Sequence, residues 1–422
     1  MDLIKKTFII KKKLNKVYYL YLVKSQPIIH RKKLIELKKK GKIKVAFFAL
    51  HAEVWKYDLL YRLLQNNPKF EPIIFVCPII NNGKENMIKE MEKTYRMFKV
   101  RNYNVKKTYN QEEGTYLDVR KEFSPDIIFY SNPYKGIIDD RYYITKYRDK
   151  LTCYVPYAFM NGNQKWAYDN LLINLCWKVF YPNEMYRNTA KDLSSIKGRN
   201  ISVSGYPIAD DFILRGENTT NDPWKIKDRK IKRLIWAPHH SILDSSIVDN
   251  STFLDNYNII LKIAEKYKDK IQIAFKPHPL LLNNLYKHSD WGEKRANEYY
   301  DTWKNLPNGT FSEGDYIDLF LTSDAMIHDC GSFMIEYHYT KKPVMYISNH
   351  NVDYLSDFGR LAYNMHYKGS SPIEIETFIN KVVLSGDDEM LFERRKFYQD
   401  HLLSPNNNSV SENIINEILR YI

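Results

Sequence analysis

The chain has 422 residues, 44% of them hydrophobic, which is enough for two domains with buried cores and too apolar for wholesale disorder. Its formal charge is +14, yet residues 1–42 hold fourteen basic and two acidic side chains, so this lead carries +12 and the rest is close to neutral. That excludes a body-wide nucleic-acid surface. Four scattered cysteines (Cys77, Cys153, Cys176, Cys330) without C-x-x-C spacing fit a reducing compartment and point to neither a zinc site nor a disulfide framework.

The lead alternates lysines with Phe8, Ile9, Ile10, Leu14, Val17, Tyr18, Tyr19, Leu20, Tyr21 and Leu22. It lacks the long apolar run and cleavage site of a signal peptide. It reads as a basic amphipathic helix suited to an anionic membrane surface, the alternative being a solvated helix packed on the body. No other stretch reaches the roughly 18 apolar residues needed to span a bilayer.

Residues 43–50 form an apolar run typical of a buried parallel strand, with His51 at its end. A helix is predicted over 52–64, a strand over 72–77, a loop at Asn81-Asn82-Gly83 and a helix over 85–99. Strands over 126–130 and 151–155 follow. Helices are predicted over 164–180 and 184–193, and a strand over 200–204 ends at Gly205-Tyr206-Pro207. Strands alternating with helices imply a doubly wound α/β domain. No G-x-G-x-x-G follows the first strand, so the dinucleotide fingerprint is absent. Ligands in such sheets lie beyond the C-terminal strand ends. That singles out His51 with Glu53, Ser131-Asn132-Pro133, and residues 154–163. His51 beside a carboxylate is the candidate general base.

Residues 216–230 are polar and punctuated, as a linker is. A strand over 233–237 ends in Pro238-His239-His240-Ser241. After an acidic loop and a helix over 253–268, a strand over 271–275 ends in Lys276-Pro277-His278-Pro279. A helix is predicted over 291–303. Then comes a short helix, a strand over 325–328, the turn Asp329-Cys330-Gly331-Ser332, a second helix and a strand over 342–347. Helices over 374–384, 388–402 and 409–422 close the chain.

The turn after residue 328 offers backbone N–H groups at a helix start, a ready anion site. With His239, His240, Lys276 and His278 on neighbouring strand ends, it can stabilise a leaving nucleotide diphosphate without a metal or other cofactor. Glu336, one turn on, is placed to accept ribose hydroxyls. The predicted architecture is a lead (1–42), a Rossmann-like domain (43–213), a linker (214–231), a second Rossmann-like domain (232–400) and a closing helix (401–422).

The series Gly205-Tyr206-Pro207…Asp210, Ile235-Trp236-Ala237-Pro238, Lys276-Pro277-His278-Pro279, and Ser323-Asp324-Ala325-Met326-Ile327-His328-Asp329-Cys330-Gly331-Ser332…Glu336…Lys342-Pro343 resembles the CDP-glycerol glycerophosphotransferase family, the teichoic-acid and capsule polymerases. The resemblance implies a GT-B fold, with two Rossmann-like domains facing a cleft, the first taking the acceptor and the second the donor. It implies a CDP-glycerol donor, with another nucleotide-activated polyol or sugar as the alternative, a cell-surface glycan or lipid-linked glycan acceptor, no obligatory metal, and peripheral attachment to the cytoplasmic face of the cell membrane. By position, His278 and Gly331-Ser332 would hold the pyrophosphate. The chain departs from the family pattern at three points. The family's Thr-x-Arg is His239-His240-Ser241 here, and its Asp-Tyr-Ser-Ser turn is Asp329-Cys330-Gly331-Ser332. Its Trp-His-Gly segment, which carries the base, falls around Tyr154 to Phe159, where histidine is missing; His51 is the substitute. Two alternatives remain at this point: a non-hydrolysing UDP-sugar 2-epimerase, whose Asp-Ser-Gly-Gly…Glu-Glu turn is partly echoed here, and a non-catalytic membrane-bound assembly component.

Overall fold

The structure, a computed structural model, describes residues 2–81, 83–217, 221–243, 251–348 and 352–422, with the backbone alone at 2–15, Glu53 and Glu217. The acidic loop expected after Ser241 lies mostly outside the described residues, as does part of the expected linker. Two compact units result. One comprises Met1–Ala158, Gln164–Pro207 and Ser404–Ile422, and the other Phe159–Asn163 and Ile208–Leu403.

The first unit is built on β1 (Ile43–Ala49), β2 (Phe70–Val76), β3 (Val105–Lys107), the two-stranded hairpin β4 (Tyr109–Asn110) and β5 (Thr115–Tyr116), then β6 (Ile127–Tyr130), β7 (Leu151–Tyr154), β8 (Lys178–Tyr181) and β9 (Ile201–Val203). Seven of these form a parallel sheet in the order β3-β2-β1-β6-β7-β8-β9. Helices cover parallel strands on both faces, which is why β1 and β6 are buried almost throughout.

The second unit carries β10 (Lys232–Ala237), β11 (Ile271–Phe275), β12 (Gly309–Phe311), β13 (Ala325–His328), β14 (Val344–Ile347) and β15 (Tyr367–Gly369). All are parallel, in the order β12-β11-β10-β13-β14-β15. Trp236 of β10 stacks on Phe253 and Phe275 with ring centres 5.8 and 5.2 Å apart, forming the core beneath one face. The strand order reverses between β10 and β13, so their C-terminal ends open at the switch point of the sheet.

Several elements differ from the sequence reading. The lead is a helix, Asp2–Leu37, whose second half packs on the first unit through buried Leu22, Val23 and Leu37. Lys33 and Lys40 both pair with Asp126, which lies just before β6. Instead of one helix over 164–180 there are two short ones, Lys165–Tyr168 and Leu171–Leu175, followed by β8. The Asn170 side chain caps the second at Ile173 N–H (3.0 Å), and Trp177 to Tyr181 then favours a pleated, buried strand. The helix expected over 52–64 is a turn at Ala52–Val54 and a helix at Asp58–Asn66, separated by the extended Trp55.

The expected linker is not free. Helix Ile208–Glu217 belongs to the second unit, Trp224 is buried, and Asp222 pairs with the buried Arg233 at 2.7 Å. The division thus falls after Pro207 rather than at 213. The closing helix, Val410–Leu419, joins the first unit, where Glu417 meets Lys178 of β8 at 2.5 Å.

Candidate functional site

In the second unit the C-terminal ends of three adjacent strands, β11, β10 and β13, deliver the candidate residues together. The loops are tied to one another by their backbones: Lys276 N–H donates to Trp236 O (2.8 Å) and His278 N–H to Pro238 O (3.0 Å). His239, His240 and His278 form one cluster. Ring centres are 4.3 Å apart for His239–His240, 4.2 Å for His240–His278 and 5.2 Å for His239–His278. One nitrogen from each ring lies within 4.8 Å of the others.

Burial, with the neighbouring His240, pushes His239 down to about 3. Burial, with His240, His239 and Lys276, pushes His278 down to about 2, and burial lowers His240 as well. At neutral pH the cluster is therefore three uncharged imidazoles, not three cations.

Beside them the turn at Gly331-Ser332 leads into a short helix, Phe333–Glu336, continued by a 3-10 turn at Tyr337–Thr340. Cys330 N–H donates to His328 Nδ1 at 3.2 Å. The N–H groups of Gly331, Ser332 and Phe333 have no acceptor among the described residues. Three half-buried imidazoles and three open amides at one switch point form a donor-rich site for an anion.

Two expected roles change, those of Asp329 and Glu336. Asp329 does not face a ligand: it is 1% exposed. Its carboxylate accepts His239 N–H (2.5 Å), Thr252 N–H (2.6 Å) and Thr252 Oγ1–H (3.0 Å). It joins the His239 loop and the start of helix Phe253–Lys266 to the turn. Burial raises its carboxyl to about 6 in spite of those hydrogen bonds. Glu336 is also buried, at 2% exposure, and accepts the Tyr316 hydroxyl, so it is not open to ribose. Lys276 is 4% exposed and contributes its charge from within the wall. His328 is a core residue: its Nε2 lies 3.2 Å from His366 Nε2, and burial drives it well below its ordinary pKa.

His51 stands at the end of β1 in the first unit, half-buried, with Glu90 rather than Glu53 as its described partner (Nδ1 to Oε2, 3.5 Å). The Glu53 side chain lies outside the described residues.

The sequence reading missed Thr252 and Asn284, and reached Asn161 only as part of the stretch 154–163. Residues 159–163 belong to the second unit although β7 and the helix after them belong to the first. The Asn161 carbonyl accepts Ser356 N–H (2.8 Å), and its side-chain amide reaches Gly331 O (3.4 Å). No local pattern signals such a change of unit. Asn284 donates to the His240 carbonyl at 2.8 Å; an asparagine on a polar helix face carries no distinguishing signal.

Two parallel α/β units, with three histidines gathered at the switch point of the second, define a protein of GT-B-like fold. The family described as CDP-Glycerol:Poly(glycerophosphate) glycerophosphotransferase matches residues 161–420, and the chain belongs to it. It is a transferase of that kind. The motif series quoted above had pointed to the same family. No curated protein sequence matches the chain. Among solved structures, the wall teichoic acid polymerase TagF is similar with a TM-score of 0.60 and 14% identity, over 96% of this chain and 98% of that one. Staphylococcus aureus MnaA with UDP is similar with a TM-score of 0.57 and 14% identity, over 90% of this chain and 98% of that one. A UDP-GlcNAc 2-epimerase from Neisseria meningitidis has a TM-score of 0.57 and 15% identity, over 90% of this chain and 100% of that one. At these identities the likeness establishes the fold alone.

Proposed function

We propose that the protein transfers glycerol phosphate from CDP-glycerol to a hydroxyl of a cell-surface glycan or lipid-linked glycan, in the synthesis of a teichoic-acid or capsule polymer. The observation that carries this reading is the donor-rich cluster of His239, His240, His278 and the Gly331 to Phe333 amides in a chain of this family. A TagF variant has been soaked with CDPG, which supports the donor class.

In the proposed reaction the acceptor hydroxyl oxygen bonds to the glycerol-bearing phosphorus. The bond from that phosphorus to the bridging oxygen breaks, and CMP leaves with that oxygen. Neutral N–H donors stabilise the charge that grows on the leaving phosphate. His51, whose Nδ1 lies 3.5 Å from Glu90, takes the acceptor proton. Glu336, buried against Tyr316, is not assigned the ribose.

The lead is the proposed membrane contact. Its outward side exposes Val17, Tyr18, Leu20, Tyr21, Ile28 and Ile35 among Lys16, Lys24, Arg31 and Lys32. Among the described residues no helix is long and apolar enough to cross a membrane, so the proposal is peripheral attachment to the cytoplasmic face. Co-sedimentation with anionic vesicles, lost at high salt, is the expected result; binding only to neutral vesicles would reject it.

The decisive assay follows CMP release from CDP-glycerol with membranes bearing glycan acceptors. His278→Ala should lower kcat/KM by roughly a hundredfold, the scale of losing a donor to developing charge. Undiminished turnover in that variant, or release of UDP-linked epimer without acceptor, would reject the reading.

A further inference from the structure

Three imidazoles with nitrogens within 4.8 Å of one another would ordinarily suggest a bound transition metal. The groups around them point elsewhere. An imidazole that ligates a metal through one nitrogen carries its proton on the other and needs an acceptor there. Here each Nδ1 meets a donor instead. His239 Nδ1 receives Ser241 N–H at 3.3 Å and lies 2.9 Å from Ser241 Oγ. Ser241 Oγ in turn accepts Ser251 N–H at 3.1 Å.

His240 Nδ1 lies 3.3 Å from Asn284 Nδ2. That atom is fixed as the amide nitrogen because it also donates to the His240 carbonyl at 2.8 Å. His278 Nδ1 receives Leu280 N–H at 3.2 Å. The carboxylate nearest in the network, Asp329, is occupied by His239 N–H and Thr252. A neutral ring whose Nδ1 accepts carries its proton on Nε2. No protein group takes Nε2 of any of the three among the described residues.

We propose that Ser241, Asn284 and the Leu280 amide are positioning groups that hold His239, His240 and His278 in the Nε2–H tautomer, making the cluster a receptor for a phosphate-type oxyanion and a poor site for a zinc-type cation. This rests on the proposed role of the site in holding the donor's diphosphate. It adds which atoms do so and what sets them. The cluster binds by hydrogen bonds from uncharged rings, so no proton needs to be taken up before the anion enters.

The experiment uses the full chain, with inorganic pyrophosphate and zinc chloride as separate probes. Long-range proton–nitrogen spectra of histidine-labelled protein should show protonated Nε2 and bare Nδ1 at the three rings, with the Nε2–H signals moving on pyrophosphate addition. Ser241→Ala, which keeps the 241 N–H but removes the hydroxyl 2.9 Å from His239 Nδ1, should weaken pyrophosphate by up to about tenfold, the scale of one lost hydrogen bond within the site, while Ser241→Thr restores it. Asn284→Asp puts an acceptor at His240 Nδ1. It should reverse that ring's tautomer, weaken pyrophosphate and raise zinc affinity above wild type.

Tight one-to-one zinc binding by wild type, an Nδ1–H tautomer at any of the three rings, or unchanged pyrophosphate affinity in Asn284→Asp would overturn the proposal. If Ser241→Ala fails to fold, the spectra of wild type and Asn284→Asp decide alone. None of these readouts uses CDP-glycerol. Absence of turnover with the expected tautomers would therefore reject the donor assignment and leave this inference standing.

Discussion

The two units share an architecture but use their strand ends differently. In the first, the polar groups beyond β1 and β6 are largely taken by the unit itself. Ser131 Oγ donates to Phe48 O (2.9 Å), Asn132 Oδ1 accepts Tyr134 N–H (2.9 Å), and Tyr57 OH donates to Tyr130 O (2.9 Å). Among the described residues His51 pairs there with Glu90. In the second, Asp329 is engaged by His239 N–H and Thr252, the three imidazoles lie together, and the Gly331, Ser332 and Phe333 N–H groups have no acceptor among the described residues. A parallel sheet supplies the place for a ligand, and the local hydrogen-bond accounting decides whether the place is prepared for charge.

That contrast breaks most sharply at His51. If the first unit supplies only a base, His51→Gln should lower kcat by about 100-fold or more, as expected for a lost general base. Pyrophosphate affinity, which belongs to the second unit, should stay unchanged. A fall in affinity with kcat preserved would remove His51 from the chemistry. Next comes Asp329. Asp329→Ala leaves buried donors at His239 and Thr252 unmet, costing about 2–4 kcal/mol of stability in urea melts. Its folded carboxyl sits at about 6, above the ordinary 3.8. The stabilisation from this raised group is full below the unfolded value and lost as pH rises through the folded one. Wild type should therefore lose on the order of 3 kcal/mol relative to Asp329→Asn between about pH 4 and 6. A flat difference across that window would show that the carboxylate is not held as described.

A smaller effect is expected at Gly359, where an added Cβ would lie 2.1 Å from the Asn161 carbonyl oxygen. Gly359→Ala should displace residues 159–163 from the Gly331 turn and cost about 1–3 kcal/mol by overpacking. Gly41→Ala, which meets nothing within 4 Å, is the matched control. Equal melts for the two variants would argue against the docked segment.

The sheets were legible because parallel strands are continuous apolar runs: β1, β11 and β13 stand out in the bare sequence. So did His239, His240, His278 and Lys276, each at a strand end within two residues of a proline. β8 was hidden because its aromatic residues follow a helical stretch without glycine or proline between them. Asp329 was read as part of an anion site because an acid at a tight turn looks the same whether it faces a ligand or its own backbone. Glu90 was out of reach, since it meets His51 only through the placing of helix Gly83–Val100, and Asn161 was reached only within the stretch 154–163, because its segment leaves its own unit.

The smallest predicted effect sets a second buried aspartate against Asp329. Asp126, in the first unit, is 1% exposed and receives Lys33 Nζ at 3.0 Å, Lys44 N–H at 3.0 Å and Lys40 Nζ. Burial opposes its ionisation, but the hydrogen bonds from Lys40, Lys44 N–H and Lys33 outweigh it and hold the carboxyl below its usual value. Its pH dependence therefore has the opposite sign: the stabilisation is present above the unfolded pKa and lost as pH falls through the folded one. Asp126→Asn should cost about 1 kcal/mol at pH 7, since Lys40 is partly exposed and its pairing is screened by solvent. The cost should shrink towards zero at low pH. The same variant should speed proteolysis between the lead helix and β1, because Lys33 and Lys40 both lie on that passage. A cost that grows as pH falls would mean that Asp126, like Asp329, is a buried acid held against its charge rather than by its lysines.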